Sequence, residues 1–469
     1  MNSILETLTL LDYSIFFVVL LITVITVIFG HKKIGKSHDS NVEKSPVEIL
    51  LEGRRLTLPL FVATLVSTWY GGIFGVTEIA YQYGIYNFVT QGVFWYITYL
   101  IFAFFLVNKL RGTESKTLPE LVGSLFGKKS KFIASIFNIF NVIPVSYAMS
   151  IGIFLSAIFS IPVPAATLLG TLVVVIYSMF GGFRAIVLSD LVQFFVMVIS
   201  VITVLIFSIY NFGGLEYLTS QLPESHFSIT GGQSISTLVV WGIIALSTLV
   251  DPNFYQRVFA AKSVKTARNG IILSTLVWIV FDICTTAGAM YAAAHIKEAD
   301  PSSAYLVYAM EILPNGFRGF FLAGILATIL STLDSYLFIA STTLIYDLLG
   351  KRKAILPLHH LSTLGFGLIA AFLSFYFTGG IKEVWKTLGS YSAGCLLAPM
   401  LIGMWTKIKI SDFLFSVSSI FGVISITIWR QVSRSGFWKD VDDLYIGVFS
   451  TLLVILVGQI LTFRQTYEN

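Results

Sequence analysis

The sequence predicts an all-α integral membrane protein with about thirteen transmembrane helices, and three observations carry that prediction. First, 56% of the 469 residues are hydrophobic and only 12% are charged, whereas a soluble domain carries about 25% charged residues; the mean hydropathy is +0.83. Second, apolar runs of about 20 residues, enough to cross a bilayer as helix, recur from end to end. Third, Lys and Arg concentrate in alternate connecting stretches, the pattern that encodes orientation in a membrane.

In chain order the expected spans are 12–30, 56–80, 86–108, 131–159, 163–181, 186–210, 235–258, 267–294, 317–349, 357–378, 383–405, 412–431 and 443–463. The first lacks a basic leader and a small-residue cleavage site, so it reads as a retained helix rather than a signal peptide. With the N-terminus outside, Lys32, Lys33, Lys36, Lys44, Arg54, Arg55, Lys109, Arg111, Lys116, Lys128, Lys129 and Lys131 fill the first two inner loops. Arg257, Lys262, Lys265, Arg268, Lys351, Arg352 and Lys353 fall on the same side, while 81–86, 160–163 and 211–234 contain no Lys or Arg. In all, 23 of the 30 basic residues lie inside, which predicts a multi-pass protein of the plasma (bacterial inner) membrane with a cytoplasmic C-terminus.

The net charge of +5 is therefore topology, and no nucleic-acid partner is expected. Cys284 and Cys395 sit in apolar runs and the six histidines show no ligand spacing, so neither a disulfide framework nor a transition-metal site is expected. No polar stretch is long enough for a soluble catalytic domain, so the chain is not expected to be an enzyme. Nor is an obligatory protein partner evident; its expected partners are a small-molecule solute, sodium and the lipid bilayer. Gly30, Gly35, Lys36 and Ser37 match a phosphate-binding loop, but that loop needs a preceding strand and a following helix, and here the match falls at the basic edge of the first span.

Three spans depart from plain apolar helix. The second contains Gly71, Gly72 and Gly75 close together, which makes continuous helix costly. The seventh contains Asp251 beside Pro252, where proline removes a backbone donor. Each opens a set of five spans, and paired breaks of this kind mark binding sites in inverted-repeat transporters, where freed carbonyls suit a small hard cation. Close packing of small residues is the plain alternative for Gly71 and Gly72. The ninth span carries Thr328, Ser331, Thr332, Asp334 and Ser335; hydroxyls can bond back to their own helix, but a carboxylate within a membrane demands a partner.

Three motifs, Tyr177 through Gln193 (YSMFGGFRAIVLSDLVQ), Gln256 through Ser263 (QRVFAAKS) and Ala327 through Tyr336 (ATILSTLDSY), occur in this order. On them the chain resembles the sodium:solute symporter family over nearly its whole length. The resemblance implies a five-plus-five inverted-repeat core of the leucine-transporter type, with one extra helix before it and two after. It divides the chain into 1–55 (first helix and basic loop), 56–210 (first repeat), 211–234 (extracellular loop), 235–405 (second repeat) and 406–469 (two final helices). It implies a main Na+ site from backbone oxygens of Ser67, Tyr70 and Thr328 and hydroxyls of Ser331 and Thr332, and, as in some relatives, a second Na+ at Asp190, Ser331, Asp334 and Ser335.

The function it implies is sodium-coupled symport of a small organic solute into the cell. A proton-coupled carrier, or one for sugars or carboxylates, is the alternative. The substrate positions it points to are Trp69, Gly71, Gly72, Phe74, Glu78, Tyr81, Asp251, Phe254 and Tyr255. The stretch Thr68 to Gly72, with Glu78 and Tyr81, looks most like the choline-transporter branch, where aromatic rings cage a quaternary ammonium. The sequence departs from that branch at Asp251, where another cage tryptophan is expected, and is two residues shorter than many members between Gly72 and Gly75. An acid at 251 suits an amine or another cation.

Overall fold

The computed structural model describes residues 4–35, 45–179, 182–351, 355–406, 408–436, 438 and 441–467. Among these, ten helices are long and apolar enough to cross a membrane, and three shorter apolar helices accompany them. In order, the elements are α1 (Leu10–Gly35), α2 (Leu58–Ser67), α3 (Ile73–Tyr83), α4 (Phe88–Arg111), α5 (Lys128–Val142), α6 (Val145–Phe159), α7 (Val163–Met179) and α8 (Phe183–Phe212). There follow α9 (Ile235–Leu246), α10 (Pro252–Ala260), α11 (Val264–His295), α12 (Phe317–Leu348), α13 (Ile355–Ser374), α14 (Gly380–Trp405), α15 (Asp412–Gln431) and α16 (Asp443–Tyr467).

The predicted breaks are present and have local causes. At the first, α2 ends at Ser67 and α3 starts at Ile73. Neither Gly71 nor Gly72 has a positive φ; a Cβ on Gly71 would lie 2.5 Å from Thr332 Cβ, and one on Gly72 would collide with Trp385. Close approach therefore requires these glycines. At the second break, Asp251 is extended (φ −80°, ψ 121°), as a residue before proline must be, and Pro252 starts α10 where its missing N–H costs nothing. The Asp251 Oδ1 caps that helix, accepting the amides of Asn253 at 2.8 Å and Phe254 at 3.4 Å. The span expected at 131–159 is also interrupted, between Val142 and Val145 at Pro144.

Helix α12 is the hub. Its most apolar window is 94% buried, and it packs on α1, α8 and α13. Helix α2 packs against α8 and α11, so the first break faces the polar stretch of α12. Large apolar side chains stay exposed on α1 (Phe17, Leu21, Ile25) and α16 (Leu452, Leu456, Val457), the exterior a bilayer solvates. One sequence assignment needs correction: Arg257, counted above among loop cations, is fully buried within α10. Lys36, Ser37, Lys44, Phe180, Gly181, Arg352 and Lys353 lie outside the described residues, and Gly30 and Gly35 are part of helix α1, not a strand-to-helix turn.

Candidate functional site

Where α2 gives out, the Ser67 carbonyl loses its intrahelical partner, because the Gly71 amide four residues on turns away from it. The Thr332 hydroxyl from α12 occupies this gap. It accepts the Gly71 amide at 2.8 Å and lies 3.2 Å from the Ser67 carbonyl and 2.9 Å from the Thr328 carbonyl. Three of the five oxygens expected at the main sodium site, from Ser67, Thr328 and Thr332, thus converge. The set is all oxygen, the donor chemistry of hard cations. The Tyr70 carbonyl accepts the Ile73 amide at 3.0 Å, and the Ser331 hydroxyl donates to Asp190 Oδ1 at 2.6 Å.

The residues of the expected second ion position also cluster. Asp190 on α8 accepts Ser331 on one oxygen and Thr64 on the other, and the Ser67 hydroxyl donates to its carbonyl at 3.2 Å. Asp334 is buried, and its Oδ1 has no hydrogen-bond partner among the described residues. Ser335 lies 3.2 Å from the Thr68 hydroxyl. Sequence reasoning missed the group they share: the Arg257 guanidinium donates from Nη2 to Thr68 at 2.6 Å, Ser335 at 3.0 Å and Thr64 at 3.3 Å.

Beside the two breaks is a cavity of about 130 Å³. Of the expected substrate residues, Trp69, Gly72 and Asp251 line it, together with Tyr70. The others do not. Gly71 is held against Thr332, Phe74 is in the packed core, and Glu78 is half-buried near Gly380. The hydroxyl of Tyr81 is spent on the Ile296 carbonyl and that of Tyr255 on the Leu249 carbonyl. Phe254 stacks behind the wall, its ring 5.1 Å from Tyr99 and 5.5 Å from Trp69.

The cavity adds residues the sequence left unassigned. Asp282 of α11 lines it and accepts the phenols of Tyr70 (2.6 Å) and Tyr96. A lone carboxylate in an apolar helix was the available signal. Trp278 and Tyr99 add aromatic wall with ring centroids 4.5 Å apart, and the Pro144 break delivers Asn141, Ser146 and Tyr147. Two donors facing the cavity, Gln91 Nε2 and Trp278 Nε1, have no protein partner among the described residues. Among the described residues, no Lys or Arg lines it.

The sequence profile of the sodium:solute symporter family matches residues 50–408. The chain is 25% identical over 385 residues to the high-affinity proline transporter of Bacillus subtilis (strain 168), covering 70% of this chain and 80% of that relative. It is 27% identical over 261 residues to a sodium/pantothenate symporter of Haemophilus influenzae, covering 52% of each. Its fold matches that of a Na+-coupled sialic acid symporter, solved substrate-bound in an outward-open state, with a TM-score of 0.75 at 16% identity over 96% of this chain and 97% of that one. The leucine-transporter-type fold expected from the sequence is therefore present.

Proposed function

This chain belongs to the sodium:solute symporter family, and from that premise we propose that it carries a small amine or other organic cation into the cell, coupled to sodium. The family is one of membrane transporters, not enzymes, and sodium is its coupling ion. The substrate reading rests on one observation: two buried carboxylates, Asp251 and Asp282, line the central cavity and, among the described residues, no basic side chain does. A solute anion would meet two carboxylates there, whereas an ammonium gains charge-assisted hydrogen bonds and aromatic faces. The likeness to the choline branch enters only through Trp69. Gln91 Nε2 and Trp278 Nε1 supply donors for an acceptor on the same solute.

In this reading the N-terminus is outside and the repeats are 56–210 and 235–405. Sodium joins the first break to α12 through Ser67, Tyr70, Thr328, Ser331 and Thr332, raising the affinity of the adjoining cavity. By reciprocity the solute favours sodium. The broken-helix bundle then rocks against its scaffold and exposes the site to the other side. A potential of about 100 mV contributes roughly 2.3 kcal/mol per charge and a tenfold sodium gradient about 1.4 kcal/mol. One ion then sustains about 500-fold accumulation of a neutral solute, and a cationic solute gains from the potential as well.

The test is a thermal-shift screen of purified protein against amines, amino acids, sugars and carboxylates, in sodium and in potassium chloride at one pH. The expected result is stabilisation by an amine in sodium alone. Equal stabilisation in both salts would favour proton coupling, and a sugar or simple carboxylate hit would refute the cationic substrate.

A further inference from the structure

The three residues between Ser67 and Gly71 are fastened at both ends to one hydroxyl of α12: Thr332 Oγ1 lies 3.2 Å from the Ser67 carbonyl and accepts the Gly71 amide at 2.8 Å. Of the three, Tyr70 hydrogen-bonds to α11. Its phenol donates to Asp282 Oδ1 at 2.6 Å and lies 3.4 Å from the carbonyl of Trp278, one turn earlier on that helix. Its ring packs on Phe281 with centroids 3.8 Å apart, and the residue is only 4% exposed. A close-packed ring passes a displacement of its own backbone on to its hydroxyl, because it has no free space in which to absorb it.

Asp282 is held by a second phenol, from Tyr96, on its other oxygen. The two phenols serve one carboxylate from different places. Tyr96 belongs to α4 and has no atom in the break, whereas Tyr70 has its backbone in the segment that sodium is to order and its hydroxyl on a carboxylate that lines the solute cavity. A phenol that did no more than supply a hydrogen bond to Asp282 would act as Tyr96 does. Any difference between the two therefore reports what the break contributes.

We propose that Tyr70 is the residue that couples the two sites: ordering of the break by sodium sets the phenol against Asp282, and so fixes the carboxylate that receives the ammonium of the solute. The proposal rests on the sodium-coupled amine reading above and adds to it the residue that carries the linkage. Without the ion, the solute must order the break, the phenol and Asp282 as it binds. With the ion bound, that ordering is already done, and the solute binds more tightly. Tyr70 acts through Asp282 and is in this sense a positioning residue.

The experiment measures equilibrium binding to the purified full chain of the amine chloride that gives the largest shift in the salt screen, in saturating sodium and in potassium at one pH and ionic strength. The readout is the ratio of the two dissociation constants, expected to be at least about tenfold in the wild type. In Tyr70→Phe the ratio is expected to fall below about two. Tyr96→Phe, which removes the other phenol from the same carboxylate, is expected to weaken the amine in both salts and keep the wild-type ratio. If Tyr70→Phe fails to fold because it strands a carboxylate, the comparison is made in Asp282→Asn, where no charge is stranded: that variant is expected to keep the ratio, and its combination with Tyr70→Phe to lose it. A wild-type ratio retained by Tyr70→Phe, alone or in that background, overturns the proposal, as does an equal loss of the ratio in Tyr96→Phe. A wild type whose amine affinities are the same in both salts removes the sodium-coupled reading itself, and the proposal with it.

Discussion

Thr332 and Gly71 approach so closely that the Gly71 amide donates to the Thr332 hydroxyl at 2.8 Å, while a Cβ on Gly71 would lie 2.5 Å from Thr332 Cβ. The break in the first repeat is thus tied to α12 at the point where the carbonyls of Ser67 and Thr328 converge. Gly71→Ala must push the two elements apart, and Thr332→Val removes an oxygen and leaves the amide unpaired. Each is expected to weaken sodium binding at least about tenfold, equivalent to about 1.4 kcal/mol, while Thr332→Ser retains most of it. Sodium titration of thermal stability checks this; unchanged midpoints in both disruptive variants would dissociate the site from Thr332.

Most of the membrane helices and both principal breaks were legible because their causes are local. A run of apolar residues must be shielded from water wherever it sits, and proline or clustered glycine interrupts a helix whatever packs against it. Pro144 obeys the same rule, but without a neighbouring acid or a second glycine it was read through. What could not be read was pairing across the fold. Asp282 meets Tyr70 and Tyr96, which are 212 and 186 residues away, and nothing near Asp282 in the chain announces either. Arg257 was assigned to a loop because the positive-inside rule counts charges near helix ends; only the packing of α10 shows its guanidinium turned towards Thr68 and Ser335.

The first helix is joined to the hub by another local-to-distant contact. Asp12 Oδ1 accepts the amides of Gly316 at 2.7 Å and Gly319 at 3.0 Å, capping α12, while its other oxygen accepts the amide and hydroxyl of Thr9. Replacing a capping acid by alanine costs about 1 to 2 kcal/mol. Asp12→Ala is therefore expected to lower the melting temperature in detergent, and Asp12→Asn to lower it less. No change in either would show that α1 does not hold the start of α12.

Asp347, at the far end of α12, has a fully buried side chain; its Oδ1 lies 3.4 Å from Lys131 Nζ and accepts Thr117 Oγ1 at 2.8 Å. Removing one partner of a buried pair is worse than removing both, because it strands a charge. Lys131→Met should cost about 2 kcal/mol, below the value for fully buried pairs since Lys131 is partly exposed. The double variant Lys131→Met with Asp347→Asn should recover part of that loss. Additive losses in a denaturation series would show that the two side chains do not interact.

Asp251 and Asp282 can be separated by one substitution because only Asp251 has a second duty. Its Oδ1 caps α10, and asparagine caps a helix about as well as aspartate, so Asp251→Asn removes charge without removing the cap. Asp282 has no such role; it is held by Tyr70 and Tyr96, whose phenols can donate to an amide oxygen as they do to a carboxylate. Both variants should fold and keep stabilisation by sodium alone, since neither contributes to the Ser67, Thr328 and Thr332 cluster. Each is expected to weaken binding of a cationic solute by about 10- to 100-fold, the worth of one hydrogen bond to a charged group. Titrating an amine in saturating sodium measures the loss. If both variants bind that amine as tightly as the wild type, the carboxylates are not its receptors, and the positive charge of the solute has no counterpart in the cavity.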